Sequence, residues 1–261
     1  MLNTVKHCVP LFWCLSNNFG DSLNHWLVSK ISQKPIVYVD ISSPHIKHVS
    51  IGSILNWCDG SCVVWGAGLA NKSDVMNRES MPRICAVRGP LSRDRVLQLG
   101  LECPDKMGDP ALLLPEFYTP VEKERSSLGI LPHYVHQLEV YSSSLSRLPG
   151  VKVIDVLAPV EQVIDDICSC DAIISSSLHG LIVADTYGVP NRRFKGSTSL
   201  NGDGMKFTDY YTSVKLPIMR PLFFNSLASR SSLLSITKHA TKNNLQMDDI
   251  HVWEACPFKT E

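Results

Sequence analysis

The segment DAIISSSLHGLIVADTYGVP, Asp171 to Pro190, constrains the fold of this chain more than any other, because an apolar strand runs through three serines straight into a helix that begins at Leu178-His179-Gly180. Free backbone N–H groups at a helix start, small hydroxyl side chains and a histidine suit an anion such as phosphate or carboxylate, and Gly180 lets a ligand approach the backbone closely. Ser175, Ser176 and Ser177 alternate along the strand end, so not all three can face one ligand. A nucleophilic serine is not expected, because SSSLHG lacks the G-x-S-x-G elbow of hydrolases.

Short apolar runs alternate with helix-length amphipathic segments along the rest of the chain, the signature of a parallel sheet covered by helices, so the fold class is α/β. Strands are expected near residues 9–15, 36–39, 62–65 and 84–87, with helices near 22–31 and 91–99. A second series follows, with strands near 128–131, 152–156 and 172–175 and helices near 137–145, 160–168 and 178–187. Charge, proline and serine cluster between the two series in EFYTPVEKERSS, Glu116 to Ser127. This marks a boundary between a Rossmann-like unit over 1–120 and a second over 126–222. Leu227, Leu234 and Thr241 recur at seven-residue intervals and predict a closing helix within a 223–261 tail.

The 261 residues are 44% hydrophobic, enough for a sizeable core, and their formal net charge is zero. No global basic field would draw such a chain to nucleic acid or an anionic membrane, so anion binding must be local. The nine cysteines are odd in number and scattered, which reads as reduced thiols in a cytoplasmic protein. Neither Cys58-x-x-x-Cys62 nor Cys168-x-Cys170 has a second ligand pair at zinc spacing, so no metal is expected. The start, MLNTVKHCVPLFWCL, reads as a buried strand and not a signal peptide, and no run approaches the roughly 20 apolar residues of a membrane span.

In open parallel sheets ligands bind beyond the carboxyl ends of the strands, and the distinctive polar residues fall there. Asn17, Asn18, Gly20 and Asp21 follow the first strand. The asparagines suit sugar hydroxyls, while Asp21 either caps the next helix or takes a proton from an attacking hydroxyl. Gly66 and Gly68 follow Trp65. Arg88 leaves a buried strand just before Gly89-Pro90, and its planar fork matches a carboxylate or phosphate, whereas Arg93 and Arg95 read as a solvated face. Asp109 in GDPALLLP reads as a turn residue. His133 reads equally well as a cleft residue or a hydrogen-bonded structural one. His179, beside the expected anion, is a proton donor or else closes a hydrogen bond across the strand-helix turn.

Taken in order, NNFGD, VVWGAG, AVRGPLSRDRVLQLG, GDPALLLP, LGILPHYVH and PVEQVIDDICSCDAIISSSLHGLIVADTYGVP resemble the polysaccharide pyruvyl transferase family, most of all its bacterial exopolysaccharide and capsule members, over roughly Phe12 to Pro190. The resemblance implies two Rossmann-like domains arranged like a B-type glycosyltransferase around a cleft. It also implies transfer of pyruvate from phosphoenolpyruvate to a saccharide as a ketal, with phosphate released and no cofactor needed. The acceptor is a polysaccharide or its precursor, lipid-linked or free; a lipid-linked one would bring the protein to the inner membrane face. His179 would be the acid, Arg88 the clamp on the donor, and Asp21 with Asn18 the group that orients or deprotonates the acceptor. Many members carry arginine before the Leu-His pair where this chain has Ser177, so the second cation falls to Arg192, Arg193 or Lys195. Two rivals share these features: a nucleotide-sugar-dependent glycosyltransferase, for which Glu161 and Asp165 could be offered although they look like a solvent face, and a non-catalytic glycan-binding or assembly protein. Trp253 and Phe258 near the end of the chain read as core packing.

Overall fold

The computed structural model describes residues 8–16, 18–224, 236, 240, 242–245, 247 and 250–259. In chain order the first series is β1 (Val9–Phe12), α1 (Phe19–Ser32), β2 (Ile36–Tyr38), β3 (Lys47–Val49), β4 (Cys62–Trp65), β5 (Arg83–Ala86) and α2 (Pro90–Gln98). The second is β6 (Leu128–Leu131), α3 (Gln137–Ser142), β7 (Val151–Val153), α4 (Val160–Cys168), β8 (Ile173–Ser175), α5 (Leu178–Thr186), β9 (Asn191–Lys195), α6 (Met205–Ser213) and β10 (Leu222–Phe223). They form two five-stranded sheets, β2-β1-β3-β4-β5 and β10-β9-β8-β6-β7, whose strand pairs are all parallel. Short apolar strands joined by helical crossovers give this arrangement because parallel neighbours need a long connection that covers the sheet face.

Most expected elements fall within a residue or two of these bounds. The expected helix over 137–145 breaks at Ser143, which leaves the helical region with ψ 154°, and a 3-10 turn follows at Leu145–Arg147. Four elements carry no matching expectation: β3, β9, α6 and β10. The expected closing helix lies largely outside the described residues, Leu227, Leu234 and Thr241 included.

The stretch after the 3-10 helix Pro110–Glu116 carries neither helix nor strand up to Arg125. It is nonetheless pinned to α4: Asp165 accepts from the Tyr118 hydroxyl at 2.8 Å and the Val121 N–H at 2.9 Å, and Lys123 reaches Asp166 at 2.9 Å. Asp165 is therefore buried, not on a solvent face. The largest apolar cluster joins residues of both series, among them Leu11, Leu23 and Trp65 with Leu131, Ile164 and Ile182. The end of the chain returns to the first sheet. Trp65 donates its indole N–H to the Val252 carbonyl at 2.6 Å and meets Phe258 edge-on at 5.4 Å, while Trp253 stays partly exposed.

Candidate functional site

A cleft of about 250 Å³ opens where strand ends of the two sheets meet, lined by Asn18 and Asp21 after β1, Ser53 after β3, His133 after β6, Ser177 and His179 after β8, and Lys206 on α6. Its first wall is built by α1. Asn18 has extended backbone and accepts from the Asp21 N–H at 3.2 Å, so Asn18 and not Asp21 caps the helix. The Asp21 carboxylate is left to project at the cleft, taking hydrogen bonds from Ser16 and, at 2.6 Å, from the Asn18 amide. Burial raises its pKa above the ordinary carboxylate value, opposed by Ser16, His179, Asn18 and Lys206, and a raised pKa makes it a better base. Asn17 lies outside the described residues.

The opposite wall is the start of α5. A side chain on residue 20 would sit 2.2 Å from His179 Nδ1, so Gly20 serves the histidine and not a ligand. The other ring nitrogen, Nε2, is buried without a hydrogen bond and faces Asp109 Oδ2 at 3.7 Å, itself buried and unpartnered. Asp109 is more than a turn residue: Oδ1 caps the 3-10 helix through the Ala111 N–H at 3.0 Å, and the second oxygen is aimed at the imidazole. The sequence signal at Asp109 is local, and His179 lies seventy residues on, which is why the sequence points only to a turn.

The three serines divide their work. Ser175 Oγ donates to the Leu131 carbonyl at 2.8 Å and ties β8 to β6, while Ser176 Oγ accepts from the His133 N–H at 2.8 Å and meets His136 Nδ1 at 2.9 Å, tying together the segments that follow those strands. Ser177 alone lines the cleft. Gly180 abuts Ser175 Oγ and Leu131, where a Cβ would come within 2.6 Å, so it permits helix-strand packing and not ligand approach. His133 does reach the cleft; burial, with Lys206 and the neighbouring histidines, pushes its pKa down to about 4, which keeps it a neutral hydrogen-bonding group.

Arg88 is placed differently from its expected role as an anion clamp. It is 1% exposed and forms an ion pair with Asp209 of α6 at 2.9 Å. Its fork also donates to Ser53 Oγ at 2.8 Å and the Leu69 carbonyl at 2.7 Å. Asp209 in turn accepts from the Ser92 N–H at 3.0 Å and its hydroxyl at 2.7 Å. A Cβ on Gly68 would lie 2.4 Å from the guanidinium carbon, so that glycine makes room for Arg88. Gly66 has φ +88° and backs onto Pro110. Arg192 lies in a separate groove with Met219 and Arg220, and Lys195 opens on a neighbouring cavity.

The cation that does line the cleft is Lys206, which carried no sequence signal. It makes no hydrogen bond or ion pair with any described residue, and burial, with Arg88 and Arg193 nearby, pushes its pKa down to about 8. An unpaired ammonium, a carboxylate with raised pKa and a histidine backed by a carboxylate can together bind an anion, deprotonate a hydroxyl and deliver a proton.

This is an α/β chain whose two parallel sheets converge on a histidine, a carboxylate and a lysine. The family model for polysaccharide pyruvyl transferase matches residues 9–195, and the chain belongs to that family. It is 27% identical to the succinoglycan biosynthesis protein ExoV of Rhizobium meliloti over 212 residues, 77% of this chain and 63% of that one. It is 29% identical to the uncharacterized protein L143 of Acanthamoeba polyphaga mimivirus over 214 residues, 74% of this chain and 69% of that one. A crystal structure of an uncharacterized Klebsiella pneumoniae protein, KP1_0663, aligns with TM-score 0.47 at 11% identity, covering 82% of this chain and 94% of its own. Among the described residues no helix is long and apolar enough to cross a membrane.

Proposed function

We propose that the protein transfers the pyruvyl group of phosphoenolpyruvate to two hydroxyls of a saccharide, forming a ketal and releasing phosphate. The observation that carries this reading is the single cleft that holds Asp21, His179 and Lys206. His179 gives a proton to the methylene carbon of the donor, which turns the enol carbon into an electrophile. An acceptor hydroxyl attacks that carbon as its proton passes to Asp21. The carbon–oxygen bond to phosphate then breaks with its electron pair, and a second hydroxyl closes the ring, its proton leaving with phosphate. Lys206 and the N–H groups at the start of α5 hold the donor's anionic groups where charge builds up. The two sheets act in the manner of a B-type glycosyltransferase, with the acceptor on the 1–120 side and the donor on the 126–222 side.

Glu161 and Asp165 do not supply a ribose site for a nucleotide sugar: Asp165 is spent on Tyr118 and Val121, and Glu161 lies outside at Trp26 and Lys30. The test is to incubate the protein with phosphoenolpyruvate and a panel of free and lipid-linked oligosaccharides, with nucleotide sugars in parallel. Phosphate release and glycan mass are followed together. A glycan gain equal to a pyruvate ketal, stoichiometric with phosphate and lost in His179→Gln, is expected. A hexose-sized gain from a nucleotide sugar sinks the proposal, as would binding of glycan with turnover of neither donor.

A further inference from the structure

A second cavity of about 310 Å³ adjoins the cleft, sharing Asn201 and Lys206 with it and lined further by Arg193, Lys195, Thr198 and Asp203. The charges here do not cancel. Arg193 rests over the Phe207 ring at 3.5 Å, and its Nε is buried without a hydrogen-bond partner. Lys206 stands at the passage between the two spaces, and Lys195 is exposed at the outer cavity. The one acidic side chain in the lining, Asp203, is occupied with the backbone N–H groups of Met205 at 2.9 Å and Lys72 at 3.1 Å. His136 lies on the floor with both ring nitrogens taken, by Ser176 at 2.9 Å and the Thr198 carbonyl at 2.7 Å. Three cations against one engaged carboxylate leave a net positive space with an unsatisfied guanidinium donor. Leaving such a donor dry is costly, and a ligand acceptor would relieve it.

We infer that this cavity is a phosphoryl-binding compartment, in which Arg193 and Lys206 grip a phosphate or diphosphate group carried by a substrate and Lys195 closes on it from outside. A phosphoryl group offers several anionic oxygens to cations that converge from different elements, β9 and α6, where one carboxylate could serve only part of the set. The compartment itself follows from the geometry, and only the question of which substrate brings the phosphoryl group rests on the proposed pyruvyl transfer. Two sources share the chemistry: the phosphate of phosphoenolpyruvate, and a diphosphate that links an acceptor saccharide to its carrier.

The experiment uses the full chain and inorganic pyrophosphate as the probe, with binding followed by titration calorimetry. Saturable binding is expected, at least about tenfold weaker in Arg193→Gln and in Lys195→Glu, the scale of a lost charge-assisted contact. Because Arg193 packs on Phe207, its variant counts only with a wild-type circular dichroism spectrum; the exposed Lys195→Glu carries the test otherwise. No binding to the wild-type protein, or equal binding to folded variants, overturns the compartment. Displacement of pyrophosphate by phosphoenolpyruvate assigns it to the donor, and displacement by a glycosyl diphosphate alone assigns it to the acceptor. Pyrophosphate binding without turnover of phosphoenolpyruvate leaves the compartment standing and the pyruvyl transfer refuted. Turnover with both KM values unmoved in Lys195→Glu does the reverse.

Discussion

Helix α6 carries two charged residues one turn apart with opposite surroundings. Asp209 accepts from the Arg88 guanidinium and from two groups of Ser92, all enclosed in protein, so that every charge on that side of the helix has a partner. Lys206 faces the cleft with no hydrogen bond or ion pair to a described residue, its pKa lowered by burial and by two other cations. A buried charge with all its partners in place is part of the framework. A half-buried one without them is held ready for something that is not protein. By that comparison Arg88 braces the site and Lys206 is the cation left open to it.

The sharpest break of the comparison is at Arg88. Arg88→Met leaves Asp209 buried and uncompensated, and about 3–5 kcal/mol of stability should go with it, read as a shift in the urea midpoint. Should Arg88→Met instead unfold like wild type and fail only in turnover, the arginine would be a ligand clamp and the contrast would collapse. Next in size are His179→Gln and Lys206→Met, which should lower the rate about 10²- to 10⁴-fold, the range for removing a proton donor or a charge-stabilising group, while the melting midpoint stays near the parent's in the first and does not fall in the second. Loss of fold in either would move it into the framework group.

Much of this was open to sequence reasoning, and the rest was hidden for a physical reason. Asn18, Asp21, Ser177 and His179 sit at helix starts that follow strands, where neighbours in the chain fix both the backbone and the direction of the side chain. The partner of Arg88 lies 121 residues away, and no local pattern announces it. Lys206 escaped because α6 reads MKFTDYYTS, with threonine, tyrosine and phenylalanine where helix formers would be expected; tertiary packing against α2 holds the helix. The strand β3 escaped too, because KHV has polar residues at its start and centre, and its lysine is buried with its ammonium bonded to Ser43 and His45 carbonyls and to Ser61.

Asp109 sits between the two extremes, with one oxygen capping a helix and the other unpartnered before His179. Asp109→Asn keeps an acceptor for the Ala111 N–H and removes the charge that faces the imidazole. Turnover should fall by about tenfold, the scale of one lost charge-assisted interaction. The melting midpoint should hold or rise, since an unpaired buried carboxylate is itself unfavourable. A marked loss of stability with unchanged turnover would show that the carboxylate serves the turn alone.

The smallest effect, and the most direct reading of Lys206, is the pH dependence of stability. Burial holds the pKa of this lysine at about 8 in the folded protein, against 10.5 for an ordinary lysine side chain. Between those values the unfolded chain holds a proton that the folded chain has released, so unfolding takes up protons and stability from this group rises with pH. Below about pH 8 both states are protonated and the full penalty of a half-buried ammonium remains. The thiols of Cys14 and Cys103, raised by burial to about 11, act in the opposite sense over part of the same range, because the unfolded chain deprotonates first. Only the difference between Lys206→Met and the parent isolates the lysine. Urea midpoints at pH 7 and 9.5 should show the variant ahead at pH 7 and the gap closing by pH 9.5, while parental turnover declines over the same interval as the ammonium is lost. A gap that stays constant with pH would mean that Lys206 keeps its proton throughout, held by a partner of its own, and would return it to the company of Arg88.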